Sequence, residues 1–146
     1  MLRWNGIEGA TMDKINKILA AGEPVVLSIF RIITGLLLFQ YGVAKLLKFP
    51  AVPVFEKVQA LSLFGAAGMF ELVLGGLLIL GLFSRLVAFI LAGEMAFAYF
   101  IEHFPRNFIP LLNNGNLAIM LCFACLYLAC AGGGPWSLDA VMRRKG

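Results

Sequence analysis

Charge is scarce in this sequence, and that scarcity excludes an ordinary soluble domain. Asp, Glu, Lys and Arg make up 14% of the chain, where a soluble domain carries about 25%. Apolar residues reach 61% and the mean hydropathy is +0.91, so the solvent implied is lipid. Histidine is nearly missing: His103 stands alone. A two-histidine haem site is therefore excluded, and no cluster has metal-ligand spacing. There is no nucleophile elbow, phosphate loop or dinucleotide fingerprint; Gly75, Gly76 and Gly81 lie in an apolar run and read as membrane packing glycines. No basic patch is interleaved with aromatics, so the net charge of +4 points to topology and anionic headgroups rather than nucleic acid.

What is present is apolar sequence in lengths that match a bilayer. A helix needs about 20 apolar residues to cross roughly 30 Å of hydrocarbon. Four runs qualify, near residues 24–47, 63–83, 86–104 and 116–132. The fold class is accordingly all-α, an integral membrane four-helix bundle with short loops and a short N-terminal interfacial helix. Residues 1–23 form an N-terminal cytoplasmic or interfacial segment, 24–135 the bundle and 136–146 a cytoplasmic tail. In the leader, Met12, Ile15, Ile18 and Leu19 share one side of a helix, as suits a helix lying on the membrane surface. Pro24 fits the first turn of the next helix, where its missing amide proton is harmless. A cleaved signal peptide is not expected, because the first apolar run is of span length.

Punctuation supports these limits. Pro50, Pro53, Pro105 and Pro110 fall in the two loops away from the termini, and Trp136 in GGGPWSLD sits at headgroup depth. Four spans put both termini on one side. Arg3, Lys14, Lys17, Arg85, Arg143, Arg144 and Lys145 lie on that side, against Lys45, Lys48, Lys57 and Arg106 opposite. Seven against four places the termini in the cytoplasm by the positive-inside rule.

The polar residues inside the spans are directed rather than scattered. At 100° per residue, Arg31, Gly35, Leu38, Gly42 and Lys45 form one stripe of the first span. Glycines admit close helix contact in lipid, so the stripe should face protein. Glu71 shares its side with Ala67, Gly68 and Gly75, and Glu94 lies beside Ala98. At 1.5 Å per residue, Arg31 and Glu94 are about 9 and about 14 Å from the membrane edge, with Glu71 near the midplane. A lone charge there costs about 2.5 to 3.5 kcal/mol on insertion scales. Arg31 is therefore expected to pair with Glu94, Glu71 or both, and Lys45 with Glu102, with Gln40 and Tyr41 between these layers. Two carboxylates near mid-depth exceed what one arginine needs, which favours a polar cavity for a small molecule or proton over a purely structural fastening.

Cys122 and Cys125 form a C-x-x-C, a spacing compatible with a redox dithiol. Ala118, Cys122, Cys125 and Ala129 also fall at i, i+4, i+7 and i+11, which is a small-residue packing stripe. Packing is the preferred reading. His103 suits an interfacial polar cap or a contact to a ligand headgroup. NNGN, Asn113 to Asn116, combines a turn with a helix N-cap.

The motifs R-I-I-T-G-L-L-L-F-Q-Y-G-V-A-K, F-E-L-V-L-G-G-L-L-I-L-G-L-F-S-R, F-x-P with N-x-G-N after His103, and G-G-G-P-W-S-L-D occur in this order. Together they resemble the DoxX family of small four-span membrane proteins, from about Leu27 to Asp139. The resemblance implies a bacterial inner-membrane protein with Arg31, Lys45, Glu71 and His103 at the family's polar positions. Asn116 stands where relatives often carry an acid, so chemistry that needs that carboxylate is not implied. Relatives are associated with redox work, which implies an accessory subunit binding a quinone or similar apolar molecule, with a soluble or membrane redox partner. Whether such a chain catalyses anything itself stays open. A small-solute or proton transporter, and a structural or assembly subunit, are the alternatives; an oligomer is compatible with each.

Overall fold

The computed structural model describes residues 4–145, and the described residues are all-helical. Residues 1–3 of the expected leader and residue 146 of the expected tail lie outside them. Helix α1 (Trp4–Leu47) is followed by a 3-10 turn (Pro53–Phe55), α2 (Leu63–Leu80), α3 (Ser84–Ala98) and a π turn (Tyr99–His103). Helices α4 (Pro110–Asn113), α5 (Asn116–Ala131) and α6 (Leu138–Lys145) complete the chain. Three helical stretches, 11–47, 63–80 and 84–103, are long and apolar enough to cross a membrane. The fourth, α5, is apolar but has 16 residues, about 24 Å of rise.

Several limits differ from the sequence expectation. The leader does not form a separate short helix: α1 runs through Pro24 without a break for 44 residues. A proline inside a helix removes one backbone hydrogen bond, and the helix-forming run Lys14–Ala21 before it carries the helix on. Met12, Ile18 and Leu19 are exposed on this extension. The turn between the second and third spans is Gly81–Phe83 rather than Ser84–Arg85. Gly81 adopts φ 71°, and its amide and that of Leu82 close on the carbonyls of Leu78 and Leu77, an αL ending that glycine reaches without steric strain.

The bundle is built from two antiparallel hairpins, α1 on α2 and α3 on α5. The first is sealed by glycines. A methyl group at Gly42 would come within 2.7 Å of the Gly68 carbonyl, and one at Gly75 within 2.8 Å of the Phe39 amide. Backbones thus touch where a side chain would hold them apart. Leu38, Leu78, Leu91, Leu121, Cys125 and Leu128 form the apolar core between the hairpins.

Each hairpin also carries an arginine on its first helix that closes the carbonyl end of its second. Arg31 donates to the carbonyls of Leu78 at 2.7 Å, Ile79 at 2.8 Å and Trp136 at 2.7 Å. Arg85 donates to those of Ala129, Cys130 and Ala131. A cation at a helix C-terminus satisfies orphan carbonyls and the negative end of the helix dipole.

The segment expected as a tail is instead docked. Both carboxyl oxygens of Asp139 accept 2.8 Å hydrogen bonds, from the Phe83 and Ser84 amides, and so cap α3. Partial burial pushes the Asp139 pKa up, but the hydrogen bonds from Ser84 and Phe83 and the nearby Arg143 outweigh it and hold the carboxyl below its usual range.

Two outcomes follow from this packing. Gly42→Leu should destabilise the bundle by about 1 to 3 kcal/mol through overpacking, seen as a lower midpoint of thermal unfolding in detergent. Asp139→Asn should cost about 1 kcal/mol at neutral pH, as loss of a helix cap does. Because the folded pKa is depressed, the wild type's advantage is present above about pH 3.9 and disappears as pH falls through the folded value. Paired unfolding curves across that range check it.

Candidate functional site

Between the two hairpins, in the half of the bundle away from α6, lies a cleft of about 610 Å³. That is within the range of pockets for small molecules. Its walls are apolar and aromatic, including Phe64, Phe70, Ile90, Phe97 and Ile101. These five are also exposed on the outside of the bundle, so the cleft opens sideways, between α2 and the end of α3, toward the position of lipid.

At the back of the cleft sits an ion pair. The Lys45 ammonium donates to Glu71 Oε1 at 2.7 Å and lies 2.7 Å from Oε2. Lys45 is 8% exposed and Glu71 3%. The absence of a side chain at Gly68 makes room for the pair: a methyl there would meet Lys45 Cβ at 2.9 Å. The ammonium also faces the rings of Tyr41 and Phe55, 5.9 and 5.7 Å from their centres, a contact worth about 0.5 to 2 kcal/mol.

Glu94 is the exception to this pairing. It lines the cleft and lies within electrostatic reach of Glu71 and Lys45. Both of its carboxyl oxygens are buried without a hydrogen-bond partner. Nearly all buried polar groups find partners, so a bare carboxyl at the edge of a cavity marks where a further molecule can bind.

The rim toward the loops comes from the π turn. Its signature is the 2.9 Å bond from the Phe104 amide to the Tyr99 carbonyl, and such widened turns recur at functional sites. His103 Nδ1 is 2.9 Å from the Asn113 carbonyl. A carbonyl only accepts, so Nδ1 is the donor in this contact. Glu102 pairs with Arg106 one helical turn on.

The structure brings together Lys45, Glu71, Glu94, Glu102 and His103 from the sequence expectation, but with other partners. Arg31, fully buried, meets carbonyls instead of Glu94 or Glu71. The hairpin is antiparallel, so Arg31 stands level with the end of α2, and Glu71 is about 11 Å further along the axis. Lys45 stands level with Gly68, one turn beyond Glu71, and its long side chain reaches the carboxylate; Glu102 takes Arg106 instead of Lys45. Gln40 and Asn116 are exposed and do not line the cleft. The buried asparagine is Asn113, whose side chain accepts from the Gly115 amide at 2.7 Å and donates to the Asn107 carbonyl at 2.7 Å. Cys125 is fully buried in the core and Cys122 packs against it, both as free thiols.

Sequence reasoning missed Phe55 and the π turn. Phe55 lies in a loop with no periodicity to place it, and a π turn has no composition signal. Arg106 was legible, because Glu102 and Arg106 stand at i, i+4.

Breaking the buried pair on one side should be severe. Lys45→Met or Glu71→Leu alone should cost about 3 to 5 kcal/mol, since each strands a buried charge. The double variant should recover most of that loss. Denaturation in detergent micelles of all four proteins provides the double-mutant cycle.

The comparisons with known proteins agree with this architecture. The DoxX family profile matches residues 26–104, a stretch that contains Arg31, Lys45, Glu71, Glu94, Glu102 and His103. An uncharacterized protein of Haemophilus influenzae is 38% identical over 127 residues, which cover 84% of this chain and 95% of that protein. No solved structure matches the chain significantly. With more than half of its length matched and the polar stripe inside the match, the chain belongs to the DoxX family.

Proposed function

We propose that this membrane protein binds a small amphipathic molecule, a quinone or a compound of similar build, in the cleft between its hairpins, and serves a redox system as an accessory subunit. The observation that carries the reading is Glu94, a buried carboxyl without a partner on the wall of an apolar cavity. A ring-sized polar head fits against Lys45, Glu71 and Glu94, while an apolar tail passes between Phe70 and Phe97 into lipid. Such a ligand arrives through the bilayer, so a sideways opening suits it better than a mouth to water.

The redox role rests on the likeness to the DoxX family. Cys122 and Cys125 pack in the apolar core as free thiols, so electrons would come from the ligand and a soluble or membrane partner. The excess of basic residues on the side of the termini supports a plasma-membrane protein with cytoplasmic termini.

Two measurements test the binding. Lipid extracted from protein purified out of its native membrane should contain a quinone at a substantial fraction of one per chain by mass spectrometry. In nanodiscs, the Lys45→Met, Glu71→Leu double variant should stay folded but bind a short-chain benzoquinone at least tenfold more weakly than wild type. Absence of quinone from the extract, together with no binding to the wild type in nanodiscs, would reject this function.

A further inference from the structure

At the end of the bundle opposite the cleft, a second cavity of about 870 Å³ opens beside α6. Spanning helices begin and end around it: its walls take Pro24 and Leu27 of α1, the first turn of α3, the link 131–135 after α5, and Arg143 of α6. Trp136, the next residue along that link, is exposed, as an aromatic side chain at headgroup depth is. The cavity is continuous with the outside of the bundle, because Phe83 and Leu86 line it and are both exposed. About one helical turn deeper on α1 and α5, Phe30 and Tyr127 meet edge to face at 5.9 Å and form an apolar seam.

Four charged side chains line the cavity, Glu23, Arg85, Asp139 and Arg143, and they are not equally engaged. Both oxygens of Asp139 already accept from the α3 amides. Arg85 uses Nη1 and Nη2 on three carbonyls, which leaves its Nε proton and one on Nη2, since a guanidinium has five. Arg143 acts on Asp139 only through its charge; among the described residues no hydrogen bond or ion pair engages its guanidinium. Arg144 and Lys145 add two exposed cations just beyond the wall. The acid that remains, Glu23, is exposed and outnumbered.

We propose that this cavity binds one anionic phospholipid from the leaflet on the side of the termini. Its phosphodiester sits between Arg85 and Arg143, and its acyl chains pass over Leu27 and Leu86 toward the seam of Phe30 and Tyr127. Guanidinium groups match phosphate oxygens in geometry as well as charge. A free phosphate would leave the apolar wall unused, and a choline headgroup would bring a cation to an end already rich in them. The lipid joins α3 to α6 where the Asp139 cap also joins them, and so fastens the closing helix to the bundle. The site is separate from the cleft and does not depend on what the cleft holds.

The test uses the full chain, delipidated in a neutral detergent, and two probes with the same acyl chains, dioleoyl phosphatidylglycerol and dioleoyl phosphatidylcholine. Native mass spectrometry should show one phosphatidylglycerol per chain with a Kd about tenfold or more below that of phosphatidylcholine, and Arg143→Gln should weaken it about fivefold, the order that one basic residue contributes at an anionic membrane surface. Glu23→Gln should bind it at least as tightly as wild type. Replacing Arg144 and Lys145 together by Gln should weaken it less than Arg143→Gln alone, because neither lines the cavity. Equal affinity for the two lipids, or an Arg143→Gln variant that binds like wild type, would overturn the site. A loss from the Arg144 and Lys145 pair as large as that from Arg143 would reduce it to diffuse attraction by a basic tail. Displacement of the lipid by excess inorganic phosphate at constant ionic strength would show that the ligand is free phosphate instead. The comparison of the two lipids on the wild type needs no variant to fold.

Discussion

A charge placed in hydrocarbon must be met by protein, because water is not there to meet it. This constraint organises the whole bundle. Lys45 and Glu71 meet each other across two helices whose glycines let the backbones touch. Arg31 and Arg85 meet instead the carbonyls that every helix leaves free at its end. The two solutions differ in kind. An ion pair specifies which helices are neighbours and in what register, whereas an arginine on a helix end specifies where the neighbour stops.

These fastenings concentrate at opposite ends of the molecule. Near α6, the Arg31 bonds and the Asp139 cap bind α1, α2, α3 and the closing segment into one knot. At the other end, the Lys45–Glu71 pair closes the α1–α2 hairpin and α3 runs on into a π turn. The cleft lies between the hairpins at this second end. Its walls are apolar and its back is charged, and that polarity pattern is the one an amphiphile carries.

Glu94 is the group for which this logic leaves a vacancy. The other two acids between residues 63 and 103 have partners in the chain, Glu71 through Lys45 and Glu102 through Arg106. A structural role for the ionic residues accounts for those two pairs and for the arginine caps. It leaves a buried, unpartnered carboxyl beside a cavity without a reason to be there, and a stability argument alone would favour an apolar residue at that position. The proposed ligand gives it one.

Much of this was legible from composition and period. Scarce charge and long apolar runs determined that the chain is helical and lies in a membrane, because only a helix can satisfy its own backbone there. The 3.6-residue period put Arg31, Gly35, Gly42 and Lys45 on one protein-facing stripe, and the cysteines at packing positions. What only the tertiary structure decided was who meets whom. Arg31 could reach a carboxylate or a helix end, and which it does depends on the relative height of α1 and α2, set by the glycine contact, and on where the turn at Gly81 ends α2. The continuity of α1 through Pro24, the exposure of Gln40 and Asn116 and the solitude of Glu94 are settled the same way. Each depends on rotation and axial offset between helices, and those are properties of packing between segments rather than of any one segment's sequence.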